Sequence, residues 1–195
     1  MKKSLGEQLN NNQNVRLRTL ASFSHGKVLD IGFAENPNPY LSGEVTGFDY
    51  QSVPCPQNYQ KVIFMDIMNN KITSETYDSI LAGELIEHLH DPLGFLGECN
   101  RILKPGGTLV MSTINPYYPP IILLNWLMIR KYYYAQDHKF EIAPRFMIRF
   151  LEISGFTNIK TYSLGMYLPL GKNRSVYLWT PRAFCYQILY VAKKI

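Results

Sequence analysis

Apolar residues in the first half of the chain fall into short β-rich runs at residues 28–31, 44–48, 61–65, 78–82 and 108–112. Several of these runs are apolar throughout instead of alternating, which is what strands of a parallel sheet covered on both faces require. Between the fourth and fifth runs the period changes to that of a helix. Asp91 stands as N-cap and Pro92 at the first helical position, and Leu93, Leu96, Cys99, Ile102 and Leu103 share one face. Lys104-Pro105-Gly106-Gly107 ends that helix as a turn into the next strand. A second helix is predicted to start at Pro144, bury Met147, Phe150 and Leu151, and stop at Gly155 in the left-handed conformation that glycine tolerates. Two more strands follow at 157–163 and 186–192. Upstream, a helical region ends near Phe23, and the polar run Asn10-Asn11-Asn12-Gln13-Asn14 predicts a break or loosening within it. Strands alternating with helices read as an α/β doubly wound sheet, whose ligand crevice lies beyond the carboxyl ends of the strands.

Composition narrows the class. A chain of 195 residues, 46% hydrophobic and 18% charged, suits one globular domain. At this length roughly 70% of the unfolded surface can be buried, so the core needs no disulfide or structural metal. Cys55, Cys99 and Cys185 are widely spaced and outside any CxxC pattern, which argues against a disulfide framework or zinc site and predicts a reducing, cytoplasmic location. The basic start Met1-Lys2-Lys3 leads into a polar stretch, unlike a signal peptide. The longest apolar run, 121–129, is interrupted by Asn125 and is shorter than the about 20 residues that span a bilayer. A net charge of +5 is scattered along the chain, so it does not single out nucleic acid as a partner.

The candidate chemistry sits at the strand ends. Val28-Leu29-Asp30-Ile31-Gly32-Phe33-Ala34-Glu35-Asn36 is a buried strand that ends in an acid and enters a lean turn. There Gly32 and Ala34 allow close backbone approach, and Asp30 can accept hydrogen bonds from an ammonium group. Nineteen residues on, Asp49 follows the second strand where doubly wound folds place a carboxylate for ribose hydroxyls. Asp66 ends the third strand. Three acids in register would grip an amine, a ribose and an exocyclic amine of adenine.

These residues resemble the class I S-adenosylmethionine-dependent methyltransferases, especially the group containing ubiquinone-biosynthesis and sugar or natural-product methyltransferases. The likeness covers residues 27–115 well and the remainder loosely. It rests on the order and spacing of the glycine-loop segment at 28–36, Gly47-Phe48-Asp49, Phe64-Met65-Asp66-Ile67, Glu87-His88-Leu89-His90-Asp91-Pro92 and Arg101-Ile102-Leu103-Lys104-Pro105-Gly106-Gly107. The resemblance implies a Rossmann-like, mostly parallel seven-stranded sheet with an antiparallel last strand and a small helical cap. It implies one domain: an N-terminal helical region to residue 26, a cofactor-binding core over 27–113, an acceptor cap over 114–143, and a C-terminal helix and strands over 144–195. It also implies S-adenosylmethionine as cofactor. The methionine end would lie over Asp30, Gly32 and Ala34, with Gly83 and Glu84 closing the crevice, the ribose on Asp49, and the adenine on Asp66 between Tyr50 and Ile67. The chain departs from the family where three glycines are usual, keeping only Gly32, and where Asn36-Pro37-Asn38-Pro39 leaves room for only a short helical turn.

The expected reaction is methyl transfer to a small-molecule or sugar acceptor, at oxygen, with His88 or His138 as the base. His88 and His90, two positions apart, do not face the same way in helical geometry, so no metal site is expected. Tyr117 and Tyr118, after Asn115-Pro116, are candidate walls of the acceptor pocket. The aromatic segment 119–140 reads first as a helix packed over the sheet, and alternatively as a contact for a membrane surface or lipid-linked substrate. Two competing readings are a noncatalytic scaffold with an altered cofactor loop and a nicotinamide-dependent oxidoreductase. The latter is disfavoured because GxGxxG is absent.

Overall fold

The computed structural model describes residues 5–127, 138–169 and 175–195. In chain order the elements are α1 (Leu5–Ser22), β1 (Lys27–Ile31), β2 (Glu44–Asp49), β3 (Lys61–Phe64), β4 (Tyr77–Gly83), α2 (Pro92–Ile102), β5 (Leu103–Ile114), α3 (Pro119–Trp126), α4 (Pro144–Ile153), β6 (Phe156–Ser163), β7 (Met166–Pro169), β8 (Ser175–Leu178) and β9 (Gln187–Lys194). Seven strands form one sheet in the order β3-β2-β1-β4-β5-β9-β6. The first five pair in parallel, and β9 runs antiparallel to both β5 and β6. The doubly wound sheet with an antiparallel last strand is therefore present, that strand being inserted between β5 and β6.

Successive side chains of a strand point to opposite faces, so each apolar run feeds two cores. On one face Leu29, Ile31, Ile80 and Met111 meet Leu96, Cys99 and Ile102 of α2 and Met147 and Leu151 of α4. On the other, Val28, Val45, Leu81 and Val110 meet Leu20 of α1 together with Phe33, Leu41 and Tyr59 from the loops. Asp91 caps α2 as expected, its carboxylate accepting from the Gly94 N–H at 2.8 Å. Gly155 ends α4 with φ of +83°. Phe150 packs against the core but is only partly buried.

Several expectations are corrected. The asparagine-rich run does not break α1, which continues through it to Ser22. The link from β1 to β2 holds hydrogen-bonded turns at Asn36 and Leu41 and no helix, not even a short one. That face is covered by α1 and by loop aromatics. Lys104 to Gly107 is a bulge inside β5: Leu103 pairs with Tyr77 and Thr108 with Ser79, so four residues oppose Asp78 alone. The β7-β8 hairpin carried no recognised sequence signal. Helix α3 is not packed over the sheet by its described side chains, since Ile122, Leu123 and Trp126 are 48%, 54% and 78% exposed. Arg130-Lys131 and Tyr132-Tyr133-Tyr134 lie outside the described residues.

Asn38, 1% exposed, organises the helix-free link. Its side-chain amide donates to Leu17 O at 2.9 Å, its Oδ1 accepts from the Tyr40 N–H at 3.0 Å, and its own N–H donates to the Tyr59 hydroxyl at 3.0 Å. Asn38→Ala strands the first two partners and should cost about 1–3 kcal/mol, read as a lower urea midpoint. An unchanged midpoint would mean that the link does not depend on Asn38.

Candidate cofactor crevice

Asp30 is the penultimate residue of β1, and the chain turns immediately at Gly32, whose φ is +79°. A side chain there would be strained and would lie 3.2 Å from Leu85. The same sheet edge receives Asp49 from the end of β2, Asp66 just past β3, and Gly83-Glu84 from the end of β4. Together with Tyr50, Ile67, Leu85 and His88 they line one crevice of about 690 Å³, within the range of small-molecule and cofactor sites. Eight of the nine residues expected at the cofactor therefore lie on one cavity. Ala34 is the exception: its N–H donates to Asp49 Oδ2 at 2.9 Å, so it positions that acid without lining the cavity.

The three acids differ in environment. Asp49 accepts the Ala34 and Gln51 N–H groups, one on each oxygen, which fixes its orientation while leaving lone pairs for a diol. Asp66 is exposed and caps the 3₁₀ turn Ile67–Asn69 through the Met68 N–H at 2.9 Å. Asp30 is buried, accepts a very short hydrogen bond from the Tyr59 hydroxyl, and has its pKa pushed up to about 7. Burial is the main cause, opposed by Tyr59 and by the Arg16 cation and reinforced by Asp49. Because this pKa exceeds the unfolded value, Asp30 favours the native state below about pH 4 and that advantage is lost as pH rises toward 7.

Arg16 and Tyr59 were not anticipated from the sequence. Arg16, 6% exposed, reaches into the crevice from α1. A Cβ built on Gly83 would sit 2.6 Å from Arg16 Nη1, so the bare glycine backbone is what admits the guanidinium. Its charge bears on Asp30, Glu84 and Glu87. Glu84 has φ of +54°, a costly conformation for a glutamate, held by its N–H donating to Ser112 O and its Oε1 accepting from Ser112 Oγ. Burial raises its pKa.

His88 closes the 3₁₀ turn Ile86–His88 after β4 and lines the crevice. His138 stands beside it, with the rings edge to face at 4.8 Å between centroids. The structure thus brings both candidate bases together, a pairing not legible from their separation in sequence. Glu87, between Ile86 and His88, is 1% exposed, and its carboxyl group has no well-formed hydrogen bond among the described residues, only an approach from Thr113. Burial, with Glu84 adding repulsion, pushes its pKa up to about 8. A donor set of one carboxylate and two imidazoles therefore exists, through His138 and not His90. Tyr117 and Tyr118 do not line the crevice. Asn115 instead ties the start of α3 to the chain before β9, donating to Cys185 O at 2.9 Å, while Tyr118 packs on Tyr186.

A buried acid and a buried cation at one end of the crevice, and two acids along it, fit a ligand with an amino-acid end, a ribose and an adenine. Among proteins of known activity, the chain is 30% identical over 119 residues to the ubiquinone biosynthesis O-methyltransferase of Cereibacter sphaeroides, covering 52% of this chain and 48% of that one. It is 31% identical over 106 residues to the human mitochondrial ubiquinone biosynthesis O-methyltransferase, covering 46% and 29%. The matched region thus spans half or less of these relatives' length. A crystal structure of a SAM-dependent methyltransferase from Archaeoglobus fulgidus superposes with a TM-score of 0.67 at 19% identity, over 93% of this chain and 92% of that one, a likeness of fold. The methyltransferase-domain family model matches residues 7–161, a span that holds every crevice residue named above and sets aside the oxidoreductase reading. The chain belongs to the methyltransferase-domain family, with a class I fold.

Proposed function

We propose that the protein transfers the methyl group of S-adenosylmethionine to a hydroxyl oxygen of a small-molecule or sugar acceptor. When bound, the cofactor supplies an electrophilic methyl on sulfonium sulfur. The protein's own work is alignment and proton management. In this reading Asp30 and Arg16 hold the ammonium and carboxylate of the methionine end, Asp49 the ribose, and Asp66 the adenine amine, with Tyr50 and Ile67 beside the base, and the lining of one crevice by all six supports it.

The observation that carries the oxygen assignment is the titratable cluster after β4. Glu84 and His88 border the crevice, and Glu87 and His138 stand directly behind. A hydroxyl needs help in losing its proton, whereas a neutral amine attacks without it. The relatives named O-methyltransferases support the same choice. The exposed apolar face of α3 favours an acceptor with an apolar portion, or one presented at a lipid surface. No helix among the described residues is long and apolar enough to cross a membrane.

The test is methyl transfer from labelled S-adenosylmethionine to a panel of phenols, catechols and sugars, each paired with its amine counterpart. Label on oxygen of the hydroxyl members is expected. Transfer confined to the amines would contradict the assignment, and a folded protein inert toward both, while still binding cofactor, would favour the scaffold reading.

A further inference from the structure

We infer that Tyr59 is a positioning residue of the cofactor crevice: its hydroxyl, aimed by Asn38, holds the Asp30 carboxylate as the anion that meets the ligand's ammonium. Asp30 lines the crevice and Tyr59 does not, so Tyr59 acts through Asp30 without meeting the ligand itself. This role rests on the reading that Asp30 holds the cofactor's ammonium.

The surroundings of the hydroxyl leave it one role. Tyr59 lies between β2 and β3, is 5% exposed, and packs its ring on Phe33 with centroids 5.3 Å apart. A phenol carries a single proton to donate. The Asn38 N–H donates to the phenol oxygen at 3.0 Å, which leaves that proton for Asp30 Oδ2. Asn58 clamps the same two segments a second time, its side-chain amide donating to Asn38 O at 2.9 Å and to Leu41 O at 3.1 Å. The helix-free link between β1 and β2 thereby fixes the acid near the end of β1.

Asp30 is faced by Tyr59 from the link between β2 and β3, by Arg16 from α1 and by Asp49 from β2, while Glu35, Asp66, Glu84 and His88 line the same crevice. Burial raises the Asp30 pKa to about 7, with Tyr59 and then Arg16 favouring the carboxylate and Asp49 opposing it. Burial, the adjacent Asp30 and, more weakly, Cys55 push the pKa of Tyr59 itself up, so the phenol keeps the proton it donates. Removing this donor takes away a group that favours the charged form, so Asp30 must then titrate at higher pH.

The experiment labels the aspartate carboxyl carbons of the whole, ligand-free chain with ¹³C and follows the Asp30 resonance from about pH 5 to about pH 10, assigned by its loss in Asp30→Asn. The parent's midpoint is expected near 7. That of Tyr59→Phe should be higher by about one pH unit or more, as loss of a hydrogen bond to a charged group implies. S-adenosylhomocysteine is then titrated into both proteins at matched pH, which cancels the ligand's own ionisation. Tyr59→Phe should bind at least about fivefold more weakly at pH 7, yet within about twofold of the parent at pH 9. An equal Asp30 midpoint in the two proteins overturns the inference. So does a loss of affinity that is the same at both pH values, the mark of a packing defect. A raised midpoint in a protein that binds no S-adenosylhomocysteine would support the hold of Tyr59 on Asp30 and overturn the cofactor reading instead. Phenylalanine keeps the ring against Phe33; if the variant nonetheless fails to fold, 3-fluorotyrosine at position 59, a stronger donor, must lower the midpoint, and an unchanged midpoint overturns the inference.

Discussion

Asp30→Asn should weaken S-adenosylhomocysteine binding about 10- to 100-fold, the equivalent of about 1.5–3 kcal/mol for a charge-assisted hydrogen bond, without unfolding the protein. Asp30 has one oxygen engaged by Tyr59 and stands in the crevice where the ligand's ammonium is expected. Its pKa near 7 adds a signature that simple loss of a contact would not show. Binding an ammonium requires the carboxylate, so wild-type affinity should rise with pH and level off above about 7, being about tenfold lower at pH 6 than at pH 8. The asparagine variant should be flat over that range. Calorimetry at both pH values checks both statements. An unchanged affinity in Asp30→Asn, or a wild-type affinity that falls as pH rises, would remove Asp30 from the ammonium site.

Gly47→Ala should lower stability by about 1–3 kcal/mol, which at this chain length is about 2–4 °C in Tm for each kcal/mol. Gly47 pairs with Asp30 on β1 and Val62 on β3. A Cβ added there would lie 2.7 Å from Phe33 Cε1 and 2.9 Å from Tyr59 Cδ2. Those rings are buried and packed on each other with centroids 5.3 Å apart, so neither can yield cheaply. Because Tyr59 holds Asp30, the same methyl group should also weaken cofactor binding. Gly97→Ala, on an open stretch of α2 with nothing within 4 Å, serves as the contrast and should be neutral or slightly stabilising. Equal melting temperatures for Gly47→Ala and Gly97→Ala would contradict this packing account.

The sheet and the strand-end acids were legible because each is a local pattern. A buried parallel strand writes itself as a continuous apolar run, and the residue at its carboxyl end lies at the crevice by topology. Residues that reach the site from elsewhere left no such mark. Arg16 is one cation in a largely polar helix, and only the bare backbone of Gly83 shows why it can be buried. Tyr59 sits in an aperiodic loop, and its importance comes from the proximity of Asp30 across the sheet edge. The proximity of His138 to His88 left no mark either, since it is made by the Lys139 and Phe140 N–H groups donating to Glu87 O across about fifty residues of sequence. The uninterrupted α1 shows tertiary packing overriding the weak propensity of asparagine, since Leu17 and Leu20 anchor its last turns. Tyr117 and Tyr118 lie outside the crevice, Tyr117 half exposed and Tyr118 packed on Tyr186.

Calorimetric titration of the folded protein with S-adenosylhomocysteine, with NADH as the control ligand, tests the central claim most directly. The crevice built from Asp30, Asp49, Asp66 and Arg16 predicts saturable one-site binding of S-adenosylhomocysteine and none of NADH. A protein with native circular dichroism that binds neither ligand would contradict it, and would make the turn with its single Gly32 and the helix-free link to β2 the marks of a scaffold.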